Sequence, residues 1–193
     1  MAAKPKSIAI RGAGVVGLWQ AYMLDQRGYK VTLLERSPEP FTFACSLFAG
    51  AMLAPNCEEE SAEATIRKLG QRGLALWREH YPGTVANGTL VLALPRDRAE
   101  LDRFERMTIG HVRLGQERVE AFEPALTGRF QTGLFFPNEG HLAPEPALHF
   151  LLNQVKAKGV ELRFGQGEAP RDADLVIDCR GLTAKDDLPN LRG

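Results

Sequence analysis

The stretch Ser7-Ile8-Ala9-Ile10-Arg11-Gly12-Ala13-Gly14-Val15-Val16-Gly17-Leu18 decides the fold. Four short apolar residues after Pro5 read as a buried strand. Gly12, Gly14 and Gly17 follow at once, with the spacing Gly-x-Gly-x-x-Gly. Leu18, Ala21, Tyr22 and Leu24 then recur at helical spacing until Gly28 ends the run. Tyr29 to Leu34 is rich in β-formers and is closed by Glu35. The order is strand, glycine turn, helix, strand: one βαβ unit.

Each glycine has its own physical task in such a turn. The first permits the tight bend, the second lets backbone approach a pyrophosphate, and the third lets helix and strand pack closely. Phosphate charge then meets the positive end of the helix and its free amides. Three glycines alone are a weak signal; placed after a strand and before a helix they have the context that a dinucleotide site requires. Glu35 lies 18 positions past Gly17, at a strand end. A carboxylate there can accept both hydroxyls of an adenosine ribose and would repel a 2′-phosphate, although Arg36 beside it offsets part of that repulsion.

Beyond this unit, Ser37 to Phe43 reads as a loop, and Ala44 to Ala54 as a loop feeding a short buried helix. Helices are expected over Glu59 to His80 (with Ile66, Leu69, Leu74 and Trp77 on one side), Arg96 to Arg106, Gln116 to Phe122 and Pro144 to Lys158. Strands are expected at Thr89 to Leu94, Leu134 to Phe136, Val160 to Phe164 and Asp174 to Asp178. The strand signal between Phe164 and Asp174 is thin, leaving little room for a hairpin. The expected class is α/β: a Rossmann-like sheet with helices, interrupted by a mixed α+β insertion on the substrate side. The expected division is 1–80, then 81–143 as the insertion, then 144–193 rejoining the first sheet.

Composition narrows the function. The chain has 193 residues, with 44% hydrophobic and 25% charged, near the globular average. Lys+Arg and Asp+Glu are both 24, so nothing in the net charge draws the chain to nucleic acid or an anionic membrane. No apolar run reaches the ~18 residues of a membrane span. The basic N-terminus, Met1 to Lys6, is not followed by a signal-peptide core. Cys45, Cys57 and Cys179 form neither a disulfide framework nor a zinc spacing, which suits a reducing cytoplasmic setting. His80, His111, His141 and His149 have no metal-site spacing, and Glu58-Glu59-Glu60 suits a helix start. No side chain is assigned a catalytic role, and no metal is expected.

Several stretches together resemble one family. Gly12 to Leu18 with Arg27 to Glu35 look like the N-terminus of FAD-dependent amine and amino-acid oxidases. Cys45-Ser46-Leu47-Phe48-Ala49-Gly50-Ala51-Met52-Leu53 followed by Cys57-Glu58-Glu59 resembles the glycine oxidase branch of the D-amino-acid oxidase family, enzymes of thiamine biosynthesis. Gly88-Thr89-Leu90, Glu123-Pro124-Ala125-Leu126, Gly140 to Pro144 and Asp174 to Gly181 extend the likeness over nearly all of the chain. Ala51, Cys45 and Ala143 depart from the residues common in that family.

The resemblance implies FAD as cofactor, a GR2-type FAD-binding sheet, and oxidation of a small amine or glycine-like amino acid to the imine. Electrons would pass to O2, giving hydrogen peroxide, with a possible place in thiamine thiazole synthesis. By position, Val15 and Val16 would lie along the pyrophosphate, and Glu35 and Arg36 at the adenosine. Cys45, Ser46, Gly50, Ala51 and Met52 would line the flavin, with Gly181 as a flavin-contacting glycine. Small residues there let backbone amides approach a flat ring. Relatives of this kind are longer, so the chain is expected to be an N-terminal portion, or one subunit completed by a C-terminal partner; a homo-oligomer is the other expected association. The alternatives are a catalytically silent FAD-binding fragment, a D-amino-acid or secondary-amine dehydrogenase, and an NAD-dependent dehydrogenase.

Overall fold

The computed structural model describes residues 6–61 and 63–191. The basic residues 1–5, Ala62 and the final Arg192-Gly193 lie outside the described residues. In chain order the strands and helices are β1 (Ser7–Arg11), α1 (Val15–Asp25), β2 (Lys30–Glu35), β3 (Met52–Leu53), α2 (Ala64–His80) and β4 (Thr89–Leu92). They continue with α3 (Arg98–Met107), β5 (Val112–Gly115), α4 (Gln116–Phe122), β6 (Thr132–Phe136), β7 (Gly140–His141), α5 (Pro144–Ala157), β8 (Glu161–Phe164) and β9 (Leu175–Asp178).

The described residues divide into two compact units, one from Met1–Gly50 with Pro144–Gly193, the other Ala51–Ala143. The first unit is a four-stranded parallel sheet in the order β8-β2-β1-β9. β1 pairs Ile8 with Val31 on one side and Leu175 on the other, so the opening strand is central. Its Ile8, Ala9 and Ile10 are buried, as a central parallel strand requires. α1 and α5 pack against each other, with Leu18, Ala21, Leu148, Leu151 and Val155 buried. The pieces after Pro144 thus rejoin the first sheet, through β8 beside β2 and β9 beside β1.

The second unit holds a three-stranded antiparallel sheet, β4-β6-β5, over a core of Leu101, Leu134 and Phe136. A small β3–β7 ladder pairs Met52 with His141 and Leu53 with Gly140. That ladder is why residues 51–80 cluster with 81–143, whereas the sequence suggested a division after residue 80. Glu139 reinforces it: its Oε1 accepts the backbone N–H groups of Asn56 and Cys57 at 2.8 and 2.9 Å.

Four local expectations change. The stretch from Ala44 to Ala54 is not a short buried helix; Cys45–Phe48 makes a single 3₁₀ turn with no buried residue, and Phe48 is 78% exposed. Small residues in sequence signalled close approach, not burial. α2 begins at Ala64, and Cys57–Glu60 forms a separate 3₁₀ turn ahead of it. Ile66 and Leu69 are exposed, while Leu74 and Trp77 are buried. Finally, β5 was not foreseen: Val112 to Gly115 is only four residues, with Val112, Arg113 and Gly115 exposed.

Candidate functional site

The site forms where β1 and β2 end. Gly12 has φ +99°, and a Cβ there would lie 2.7 Å from the Cys179 carbonyl oxygen, so the bend is reserved for glycine. A Cβ on Gly17 would fall 1.8 Å from the Gly12 carbonyl oxygen; this glycine lets α1 close onto the turn. Gly14 differs from both. It precedes α1 with ordinary extended backbone (φ −73°), and a Cβ there would meet Ser46 Oγ alone, at 3.4 Å. The space over Gly14 is therefore open.

Helix α1 has no side-chain cap and no acid in its first turn. Its positive end is left uncompensated by side-chain charge, the arrangement that accepts a phosphate. The first amide, Val15 N–H, donates to Ser46 Oγ at 3.2 Å, which ties the 3₁₀ turn at Cys45 to the helix start. Glu35 stands across from it. Ala13 N–H donates to Glu35 Oε2 at 2.9 Å, and Ser37 N–H donates to Oε1 at 3.1 Å. Each carboxylate oxygen keeps further acceptor capacity. The side chain is thus fixed in direction while able to take two more donors, which is what a ribose diol offers.

Gly12, Gly14, Val15, Val16, Glu35, Arg36, Cys45, Ser46 and Gly181 line one cleft. Gly17 lies beneath the turn instead, and Gly50 does not line the cleft. Ala51 and Met52 belong to the second unit. Ala51 has φ +49°, so its backbone adopts the conformation that glycine takes at no cost. Sequence reasoning missed Arg11, Phe43, Gly167, Cys179 and Arg180, which also line the cleft. Arg11 and Cys179 immediately adjoin motifs that were read, so position was a usable signal. Gly167 falls in the thin stretch after β8 and had none. The Arg36 guanidinium lies over the Phe43 ring, 5.7 Å from its centroid.

Charge at the rim is organised around Arg180. Arg180 bonds Asp178 and Asp187, each at 2.6 Å, and holds both carboxyls below the usual aspartate range. Burial pushes the Cys179 thiol up, with the Asp178 charge adding to it. Among the described residues no group of three His, Cys, Asp or Glu side chains is placed to hold a metal ion. Nor, among them, is any helix long and apolar enough to cross a membrane.

A parallel sheet, a glycine turn feeding an uncapped helix, and an acid at the next strand end define an α/β nucleotide-binding unit of the dinucleotide class. The sequence profile of the FAD dependent oxidoreductase family, which includes the D-amino-acid oxidases, matches residues 7–188, and the chain belongs to that family. FAD is the family's cofactor. A Rhizobium etli protein provisionally named thiamine biosynthesis oxidoreductase ThiO is 45% identical over 188 residues, covering 96% of this chain and 57% of its own length. A Streptomyces coelicolor D-amino-acid oxidase is 28% identical over 185 residues, covering 95% of this chain and 54% of that protein. The chain therefore spans little more than half the length of these relatives. Among solved structures, glycine oxidase from Geobacillus kaustophilus superposes with a TM-score of 0.74 at 18% identity, over 94% of this chain and 56% of that one, a likeness of fold.

The residues present fit the family's cofactor on their own geometry. The open space over Gly14 and the uncompensated end of α1 suit a diphosphate, and the fixed Glu35 carboxylate suits a ribose.

Proposed function

We propose that the cleft binds FAD through its ADP half, and that the protein containing this chain oxidises a small amine or glycine-like amino acid to the imine. One observation carries the binding assignment: Glu35, pinned by the Ala13 and Ser37 amides, shares a cleft with the N-terminus of α1, whose first turn carries no acidic side chain. In this reading the α1 amides near Val15 and Val16 receive the diphosphate, and Glu35 and Arg36 receive the adenosine. Cys45, Ser46, Gly50, Ala51, Met52 and Gly181 serve the flavin end.

FAD, when bound, would supply the two-electron acceptor for the hydride lost from the carbon bearing the amine; with a proton then lost from nitrogen the product would be the imine, and those two electrons and two protons would leave with O2 as hydrogen peroxide. The chain's own part is to bind and orient. Gly14 keeps bulk out of the diphosphate path. Ser46 Oγ holds the helix start against the Cys45 turn. Glu35 fixes the ribose and with it the direction in which the cofactor lies. A neutral substrate amine needs no general base. A role in thiamine synthesis follows the name of the Rhizobium etli relative, and the glycine-like substrate follows the resemblance of residues 45–59 to the glycine oxidase branch; a D-amino acid, as the Streptomyces coelicolor relative's name has it, or a secondary amine is the next candidate. Free Cys45, Cys57 and Cys179 support a cytoplasmic setting.

A second reading is favoured by the extent of the likeness, 57% of that relative: an FAD-binding unit that is silent until a complementary part joins it. Purification with added FAD tests the first claim. Retained flavin absorbance, lost in Gly14→Val, is expected; equal retention by Gly14→Val would remove the turn from the site. Peroxide formed from glycine by this chain alone would exclude the silent unit.

A further inference from the structure

Arg11 is a charged residue at the end of a central strand, directly ahead of the glycine turn. Its side chain is only 18% exposed, and it reaches two segments that wall the cleft. On one side Nε donates to the Gly167 carbonyl at 2.9 Å, and Nη2 lies 3.7 Å from Glu168. On the other, Nη1 lies 3.5 Å from Asp187 and 3.9 Å from Asp178, the two carboxylates that Arg180 also holds. The same residue's carbonyl accepts the Cys179 N–H at 2.7 Å.

The segment after β8 shows why this matters. Gly165 N–H bonds the Ser37 carbonyl and Gln166 N–H the Glu35 carbonyl, at 2.9 and 3.0 Å. The next tie along the segment is Arg11, and after that Asp174 returns to Ser7. Gly167 stands beside Arg36, since a Cβ on it would lie 3.5 Å from Arg36 Cβ. So one planar guanidinium, with its donors in a fixed fork, joins Gly167 next to Arg36 with the 3₁₀ segment Gly181–Asp186 and the Asp187 that follows it.

We propose that Arg11 is a positioning residue for the cofactor, holding the Gly165–Glu168 segment beside Arg36 and the segment ending at Asp187 in place as walls of the cleft that takes the ADP half. This rests on the ADP half of FAD lying between Gly14 and Glu35. A wall left loose in the free protein must be ordered on binding, and that ordering lowers affinity. A lysine in this place keeps the charge but cannot bond a carbonyl and pair with two aspartates in one plane.

The test uses the full chain and two readouts. ADP affinity is measured by calorimetric titration for the wild type, Arg11→Gln, Arg11→Lys and Lys156→Gln. Amide hydrogen exchange is followed without ligand. Arg11→Gln is expected to weaken ADP about tenfold, Arg11→Lys to fall between it and wild type, and Lys156→Gln, which removes an exposed positive charge from α5 outside the cleft lining, to change it less than twofold. Exchange should quicken at 165–168 and 181–187 in Arg11→Gln while the amides of β1 and β2 stay protected. Wild-type affinity in Arg11→Gln, or quickened exchange spread over the whole sheet, overturns the inference while leaving the cleft assignment standing. A Lys156→Gln loss as large as that of Arg11→Gln would replace positioning by surface charge. Wild-type chain that binds neither ADP nor FAD removes the cleft assignment, and this inference with it.

Discussion

The three glycines of one motif are doing three different things, and single substitutions separate them. Gly17→Ala sets a methyl against the Gly12 carbonyl, a backbone atom that cannot step aside. It should cost about 3 kcal/mol, at the upper end of overpacking, read as a lowered urea midpoint. Gly14→Ala meets only Ser46 Oγ at ordinary contact distance, so its unfolding free energy should change by less than about 1 kcal/mol while FAD retention falls at least tenfold. Equal losses of stability in both would refute the distinction. The sequence carried the motif but not this division of labour, because spacing does not tell which glycine faces backbone and which faces open space. The thiols make a second contrast. Burial, and then the charge and hydrogen bond of Glu139, push the Cys57 thiol far above its ordinary value, with Sγ 3.3 Å from Oε2. Cys45 is exposed. At pH 8 iodoacetamide should modify Cys45 and leave Cys57 untouched in the folded chain, and mass mapping after a short exposure would check it.

At the scale of elements, what was legible follows a rule. β1, α1, β2 and α5 bury whole apolar faces, and their periodicity showed them from Ser7 onward. β3 and β7 have two residues each and β5 four, too short for any period, and they exist through pairing with distant partners. Glu139 was invisible for the same reason: it lies more than 80 positions from the amides it accepts. At 1% exposure this carboxylate is a staple between the β6–β7 turn and the residues after β3. Glu139→Ala would leave two N–H groups buried and unpaired, at roughly 1–3 kcal/mol each. Glu139→Gln keeps an acceptor oxygen for both and should recover about half of the loss. Thermal unfolding of the pair checks this; equal melting points would mean the staple acts through charge alone. The β9 strand tells another story. It is the sheet's edge, with Leu175 and Val176 exposed at 43% and 45%. The apolar residues there signalled a strand and nothing about its cover, because sequence reports what a strand can pack against, not what is packed on it among the described residues.

For the whole molecule, the chain leaves the sheet unit after Gly50 and re-enters it at Pro144. The two ends of the intervening unit are joined, since Leu142 N–H donates to the Ala51 carbonyl at 3.2 Å. An insertion whose entry and exit are hydrogen-bonded neighbours can be replaced by a short glycine linker without stretching its host. The cleft lining from Arg11 to Ser46 and from Gly167 to Thr183 lies wholly in the host. Replacing Ala51–Ala143 with three glycines should therefore leave the β8-β2-β1-β9 sheet folded and ADP affinity within about threefold of the intact chain. Circular dichroism and titration would decide it. A sheet that unfolds on excision would show that the parallel strands depend on the inserted unit for stability. A folded sheet that no longer binds ADP would show that the adenosine site is not complete within residues 6–50 and 144–191. The interrupted order foreseen from the sequence, sheet then insertion then sheet, is what makes the experiment conceivable. The structure moves its first boundary from residue 80 to Gly50, and with it the place to cut.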